Sequence, residues 1–120
     1  MKKLQVGKQT FENGGYLLSV SELAHGTGTR QSAIKLRNLI LNSYFETKQR
    51  VIIDFTGVNL ISSSFADELI GKIISEYGFM FFINTFQIIG ASSINIRIIN
   101  RSIEQRMAQK YYEPDMPELP

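Results

Sequence analysis

Three consecutive serines, Ser62-Ser63-Ser64, stand between an apolar run that ends at Asp54 and a helical pattern that opens at Phe65. Hydroxyls at a helix start lie beside free backbone N–H groups and the positive end of the helix dipole, a place that favours an anion or a phosphate. A phosphate carried covalently on one of these serines would bring about −1.5 to −2 charges to that point. The plainer alternative, an N-cap followed by turn residues, stays open. Upstream, Gly26-Thr27-Gly28-Thr29-Arg30 is glycine-rich but lacks the Gly-Lys-Ser/Thr ending of a phosphate-binding loop. It reads as an adaptable loop with a helix cap, in which Thr29 and Arg30 are the candidates for contact with an anion held near Ser63. His25 beside it is expected on the surface.

The carboxylates have structural explanations. Asp54 closes a strand pattern and is expected to accept from a loop amide or hydroxyl. Asp67 and Glu68 fall in the first turn of a helix, where each negative charge stabilises by about 0.3–1 kcal/mol. No pairing for general acid–base work stands out, so catalysis is not expected. With no cysteine and one histidine in the chain, thiol nucleophiles, disulfides and zinc sites have no residues to build on. No cofactor is called for.

The 120 residues suit one domain, and 43% hydrophobic with 20% charged residues is ordinary globular usage, which argues against wholesale disorder. Thirteen basic against eleven acidic residues give +2, too mild a balance to mark a nucleic-acid binder. The one local bias is Arg97, Arg101, Arg106 and Lys110 against Glu104. Such a face is ordinarily solvated, with an acidic or nucleic-acid partner as the alternative. Gly78 to Ala91, the most apolar stretch, is broken by Asn84, Thr85 and Gln87 and falls short of the ~20 residues a membrane span needs. No membrane association is expected, and the cytoplasm is the expected compartment.

The elements that must position the serines follow from periodicity. Strand signals lie at 4–6 and 16–20, joined by Asn13-Gly14-Gly15, whose positive-φ residues suit a hairpin. A helix is predicted over 30–45, with Ala33, Leu36, Ile40 and Tyr44 on one face and Lys35, Arg37, Asn38 and Asn42 on the others. The run 51–55 reads as a central strand covered on both faces. A second helix is predicted over 64–77, with Ser64 and Asp67 as its capping pair, a stripe of Phe65, Leu69, Ile73 and Tyr77, and Gly78 as its stop. Residues 79–84 are ambiguous between strand and packed turn. A strand at 86–90 precedes a third helix from Ser92 or Ser93 to Gln109, with Ile96, Ile99, Ile103 and Met107 as its stripe. The class is α/β: a mixed sheet covered by amphipathic helices, with 51–55 between 16–20 and 86–90. Its core is predicted to include Leu36, Ile40, Ile52, Phe55, Phe65, Leu69, Ile73, Ile88 and Ile99. Residues 1–110 form the domain, and the acidic, proline-containing 111–120 is expected to be a disordered tail.

Asp54-Phe55-Thr56-Gly57-Val58, then Ile61-Ser62-Ser63-Ser64-Phe65-Ala66-Asp67-Glu68-Leu69, with Gly28-Thr29-Arg30-Gln31-Ser32-Ala33 upstream, resemble the STAS domain of anti-sigma-factor antagonists. The segment is more similar still to the STAS-like domain family of unknown function, common in small prokaryotic proteins. The likeness spans about residues 14 to 109. It implies a non-enzymatic regulatory interaction module, with the antagonists' phosphorylatable serine at Ser63 and its neighbour at Ser64. It also implies a GHKL-type ATP-binding kinase or ATPase as partner. Two departures bear on this. Ser62 stands where the antagonists carry aspartate, and Phe65-Ala66-Asp67 replaces their glycine-leucine-glycine. The alternatives are a nucleotide- or small-ligand-binding module using the same helix start, and a nucleic-acid accessory protein using the third helix. A homodimer is left open.

Overall fold

The computed structural model describes residues 8–10 and 15–111. Strand β1 (Lys8–Thr10) pairs antiparallel with β2 (Tyr16–Ser19). The short helix α1 (Val20–Leu23) and the long helix α2 (Arg30–Thr47) lead to β3 (Val51–Asp54). A continuous helical run follows: α3 (Ser63–Ala66), a π turn (Asp67–Gly71) and α4 (Lys72–Tyr77). Helix α5 (Phe79–Thr85), strand β4 (Phe86–Ile89) and helix α6 (Ser93–Tyr111) complete the described chain.

The sheet order is β1-β2-β3-β4, with β3 parallel to both β2 and β4. The expected mixed sheet, with 51–55 between the other two predicted strands, is therefore present. The described strand that pairs with β2 lies at 8–10. The predicted strand at 4–6, most of its turn and most of the predicted tail lie outside the described residues. Residues 79–84, ambiguous in sequence, are helical. Gly78 at φ +96° separates α4 from α5, and Phe82 then packs inward, where a strand would have alternated.

Leu18, Val51 and Ile53 join Leu36, Ile40, Phe55, Phe65, Leu69, Ile70 and Ile73 in one core cluster. Ile52 is buried but stands outside that cluster, and Gln87, its register partner on β4, is exposed. Val51, Ile52 and Ile53 are all buried, so both faces of β3 are covered, as expected of a central strand. Ile88 is only partly buried. Ile96 is 45% exposed, because the inward face of α6 runs through Asn95, Ile99 and Ser102 instead.

In the helical run the buried apolar pairs Phe65/Ala66, Leu69/Ile70 and Ile73/Ile74 recur every four residues. An α-helix of 3.6 residues per turn would rotate that stripe steadily off the core. A wider π turn takes part of the rotation back, and it sits in the middle of the pattern.

Candidate functional site

The serine loop is built by three ties. Asp54 Oδ1 accepts from the Thr56 backbone N at 2.9 Å and from Thr56 Oγ1 at 2.7 Å, which turns the chain as it leaves β3. Both kinds of donor expected for Asp54, an amide and a hydroxyl, are engaged. Gly90 at φ +74° lies against this turn, and a Cβ there would stand 2.7 Å from Asp54 Oδ1 and collide with Thr56 Oγ1. Asn95, wholly buried on α6, accepts from Ile61 N at 3.1 Å and donates to the Asn59 carbonyl at 3.3 Å. Thr27 Oγ1 donates to the Leu60 carbonyl at 2.7 Å and Ser62 N donates to the Thr27 carbonyl at 2.9 Å. The loop entering α2 and the loop entering α3 thus lie side by side.

The serines divide the work. Ser62 is the cap: its Oγ accepts from Phe65 N at 2.9 Å. The predicted capping pair of Ser64 with Asp67 is displaced by two positions, because Asp67 faces α6 instead. Ser63 is exposed and Ser64 half-buried, between Ile61 and Phe65, which are anchored in the core. Ser63 and Ser64 line a shallow depression of about 320 Å³ with Arg30, Asp67, Gln105, Arg106 and Gln109. Thr29 is spent as the cap of α2, accepting from Ser32 N at 3.2 Å. Asp54 and Thr29 take no part in lining the depression, and His25 is exposed elsewhere.

Beneath the depression lies an ion-pair cluster that the residue pattern did not disclose. Arg106 donates from Nε to Asp67 Oδ1 at 2.7 Å and from Nη2 to Oδ2 at 2.6 Å, while Arg30 Nη1 reaches the same Oδ2 at 2.8 Å. Glu68, 5% exposed, receives Nη1 of Arg37 on its carboxylate and, at 2.9 Å, on its own carbonyl. Arg30 Nη1 also reaches Glu68 Oε1 at 3.2 Å, and Lys72 Nζ lies 3.9 Å from Oε2. Arg37, assigned by periodicity to an outer face of α2, is thus turned inward. Arg106 leaves the predicted basic face of α6, where Arg97 and Arg101 remain exposed.

The electrostatics follow from these partners. The Arg106 hydrogen bonds, aided by Arg30 and opposed by burial, hold the Asp67 carboxyl well below the usual carboxylate range. Burial pushes Glu68 upward, but hydrogen bonds from Arg37 and Arg30 outweigh it and leave the group lowered. Both carboxylates are therefore ionised and paired, which suits anchoring α2 and α6 to the π turn. Neither is raised toward neutrality, as a general acid would be. Gly71 makes this approach possible: a Cβ there would lie 2.5 Å from Asp67 Oδ1 and 2.7 Å from Ser102 Oγ.

Among the described residues no group of His, Asp and Glu side chains is placed to hold a metal ion. None of their helices is long and apolar enough to cross a membrane. No curated protein and no solved structure is significantly similar to the chain. The family model described as a STAS-like domain of unknown function (DUF4325) matches residues 32–95, from the first turn of α2 through the serine loop to the start of α6. With the α/β sheet and its strand–loop–helix unit in place, the chain belongs to this STAS-like domain family.

Proposed function

We propose that this domain is a non-enzymatic regulatory module that binds a protein partner, and that a phosphate on Ser63 switches the contact. One observation carries the reading. Ser63 presents an exposed hydroxyl beside Arg30 and Arg106 on a rigidly tied loop, while its neighbour Ser62 does the structural capping. Leu60 and Ile94, 58% and 55% exposed, belong to the two segments that Asn95 ties together and supply exposed apolar area on the serine loop and at the start of α6. A dianion at that border changes the docking surface without touching the core.

The partner is a GHKL-type ATP-binding kinase, the class implied by likeness to the anti-sigma-factor antagonists. Ser63 Oγ attacks the γ-phosphorus of ATP held by the kinase. The new O–P bond forms as the bond to the bridging oxygen breaks, ADP leaves, and the serine proton passes to a base of the kinase. The test is co-purification from the native host with phosphosite mapping by mass spectrometry, on the natural chain and on Ser63→Asp and Ser63→Ala. Capture of an ATP-binding partner by Ser63→Ala and its loss with Ser63→Asp is expected. Partner binding indifferent to both changes, or no phosphate at Ser63 while a control antagonist is modified, overturns the reading. Thermal stabilisation by free nucleotides alone would favour the ligand-binding alternative.

A further inference from the structure

Arg30 is the arginine of the cluster whose carboxylates are both held by other residues. Asp67 keeps the two-point grip of Arg106, and Glu68 keeps Arg37, whichever way Arg30 turns. The Arg30 side chain is 49% exposed, against 14% for Arg37 and 20% for Arg106. It reaches both carboxylates through Nη1 alone. A guanidinium offers five N–H donors in a planar fork, so among the described residues most of its capacity is unspent. Among the described residues four cations, Arg30, Arg37, Lys72 and Arg106, face two carboxylates, an excess of two positive charges.

Ser63 stands one helical turn before Asp67, so the two side chains share a face of the run. A phosphate on Ser63 would be repelled by the Asp67 carboxylate unless a cation came between them. Arg106 is committed to Asp67 and to Ser75 Oγ, and Arg37 lies outside the depression. Arg30 already touches Asp67 and lines the same depression as Ser63.

We infer that Arg30 is the phosphate-reading residue of this domain: a phosphate on Ser63 draws its guanidinium off Asp67 and Glu68 into a bidentate pair. The inference rests on the Ser63 reading above. Arginine suits the role because its fork matches two phosphate oxygens at once. Release is cheap because neither carboxylate loses its last partner. The result is a new bond between the first turn of α2 and the start of α3, made only in the modified chain.

The experiment uses the full chain with phosphoserine installed at position 63 during synthesis, and follows the phosphate by 31P NMR against pH. The groups facing it are Arg30 from α2, Asp67 from the π turn and Arg106 from α6. A phosphoserine has its second pKa near 6. It is expected to titrate lower in the natural chain, and Arg30→Ala should raise it by about half a pH unit. Identical titration in the two chains overturns the inference. The Arg30 Nε–Hε resonance of the otherwise unsubstituted chain gives a second readout that does not depend on the variant. It should move on phosphorylation while that of Arg37 stays, and an unmoved Arg30 signal is equally fatal. Because synthesis installs the phosphate, a chain that no kinase modifies in the cell would remove the switching reading and leave this measurement intact.

Discussion

Arg106 holds Asp67 at the start of the π turn through two donors and sends its third, Nη1, to Ser75 Oγ beyond the turn, at 3.2 Å. One side chain of α6 therefore brackets the whole of residues 67–71. Among the described residues, truncating it leaves Asp67 with Arg30 and Ser102. Arg106→Ala is expected to lower unfolding free energy by about 1–3 kcal/mol, the range for removing a charged hydrogen-bond partner from a mostly buried group. Arg30→Ala, half-exposed and redundant, should cost less than about 1 kcal/mol. Urea unfolding of both variants checks the order, and a larger loss for Arg30→Ala would contradict the division of roles.

Acid should loosen the same cluster. Asp67 and Glu68 titrate below their ordinary values of 3.8 and 4.5 in the folded chain. The unfolded chain then binds more protons in acid, so stability falls as pH falls. Their contribution is complete above about pH 5 and drains away through pH 4 and below. Denaturation midpoints measured between pH 7 and pH 3 should decline, and Asp67→Asn should flatten the decline while starting from a lower value at neutrality.

Gly71→Ala tests the close approach of α6 to the π turn. The added methyl meets Asp67 Oδ1, Ser102 Oγ and, at 3.0 Å, Arg106 Cγ, so the pair must separate. Overpacking of this kind costs about 1–3 kcal/mol, although alanine is the better helix former. Gly28→Ala, with nothing within 4 Å of the new Cβ, is the control. It should change stability by less than about 0.5 kcal/mol. Equal melting temperatures for the two would refute the packing argument.

Ser62 and Ser63 should separate cleanly. Loss of the cap in Ser62→Ala costs about 0.5–2 kcal/mol. Ser63→Ala removes an exposed hydroxyl and should leave the melting curve in place, so any effect it has on partner binding is not a folding effect.

Asn95→Ala should free the serine loop, because the Ile61 amide loses its acceptor inside the protein. A loss of about 1–3 kcal/mol is expected. Faster hydrogen exchange at Ile61 would be its local signature.

Periodicity made β3, α2 and the serine loop legible, because apolar spacing and turn chemistry are local signals. The ion-pair cluster was not, since its arginines lie 31 to 39 residues from the carboxylates they hold and each charge alone looks like a solvated position. Gly71 was the available clue: a glycine inside an apolar helical stripe gives up about 1 kcal/mol against alanine, so something must need the space. Asn95 and Ser102 were clues of the same type, polar residues on the stripe of Ile99. The assignment of 79–84 failed because a six-residue apolar run carries no period of its own, and the stop at Gly78 did not say what restarted after it.

Tyr16, Val51 and Phe86 are register partners across three strands, so each parallel crossover spans 35 residues. Among the described strands, only the antiparallel β1–β2 pair can form early by local chain closure. Helices form in about a microsecond, whereas non-local strand pairings set the pace of such topologies. Helical structure in α2 and the 63–77 run can therefore form ahead of the sheet. The Thr27–Ser62 contact joins the first crossover to the second, so the serine loop acquires its shape only when both are closed. A newly made chain would therefore carry residues 56–62 unshaped after its helices have formed, and a partner that recognises the finished surface would engage only the folded domain.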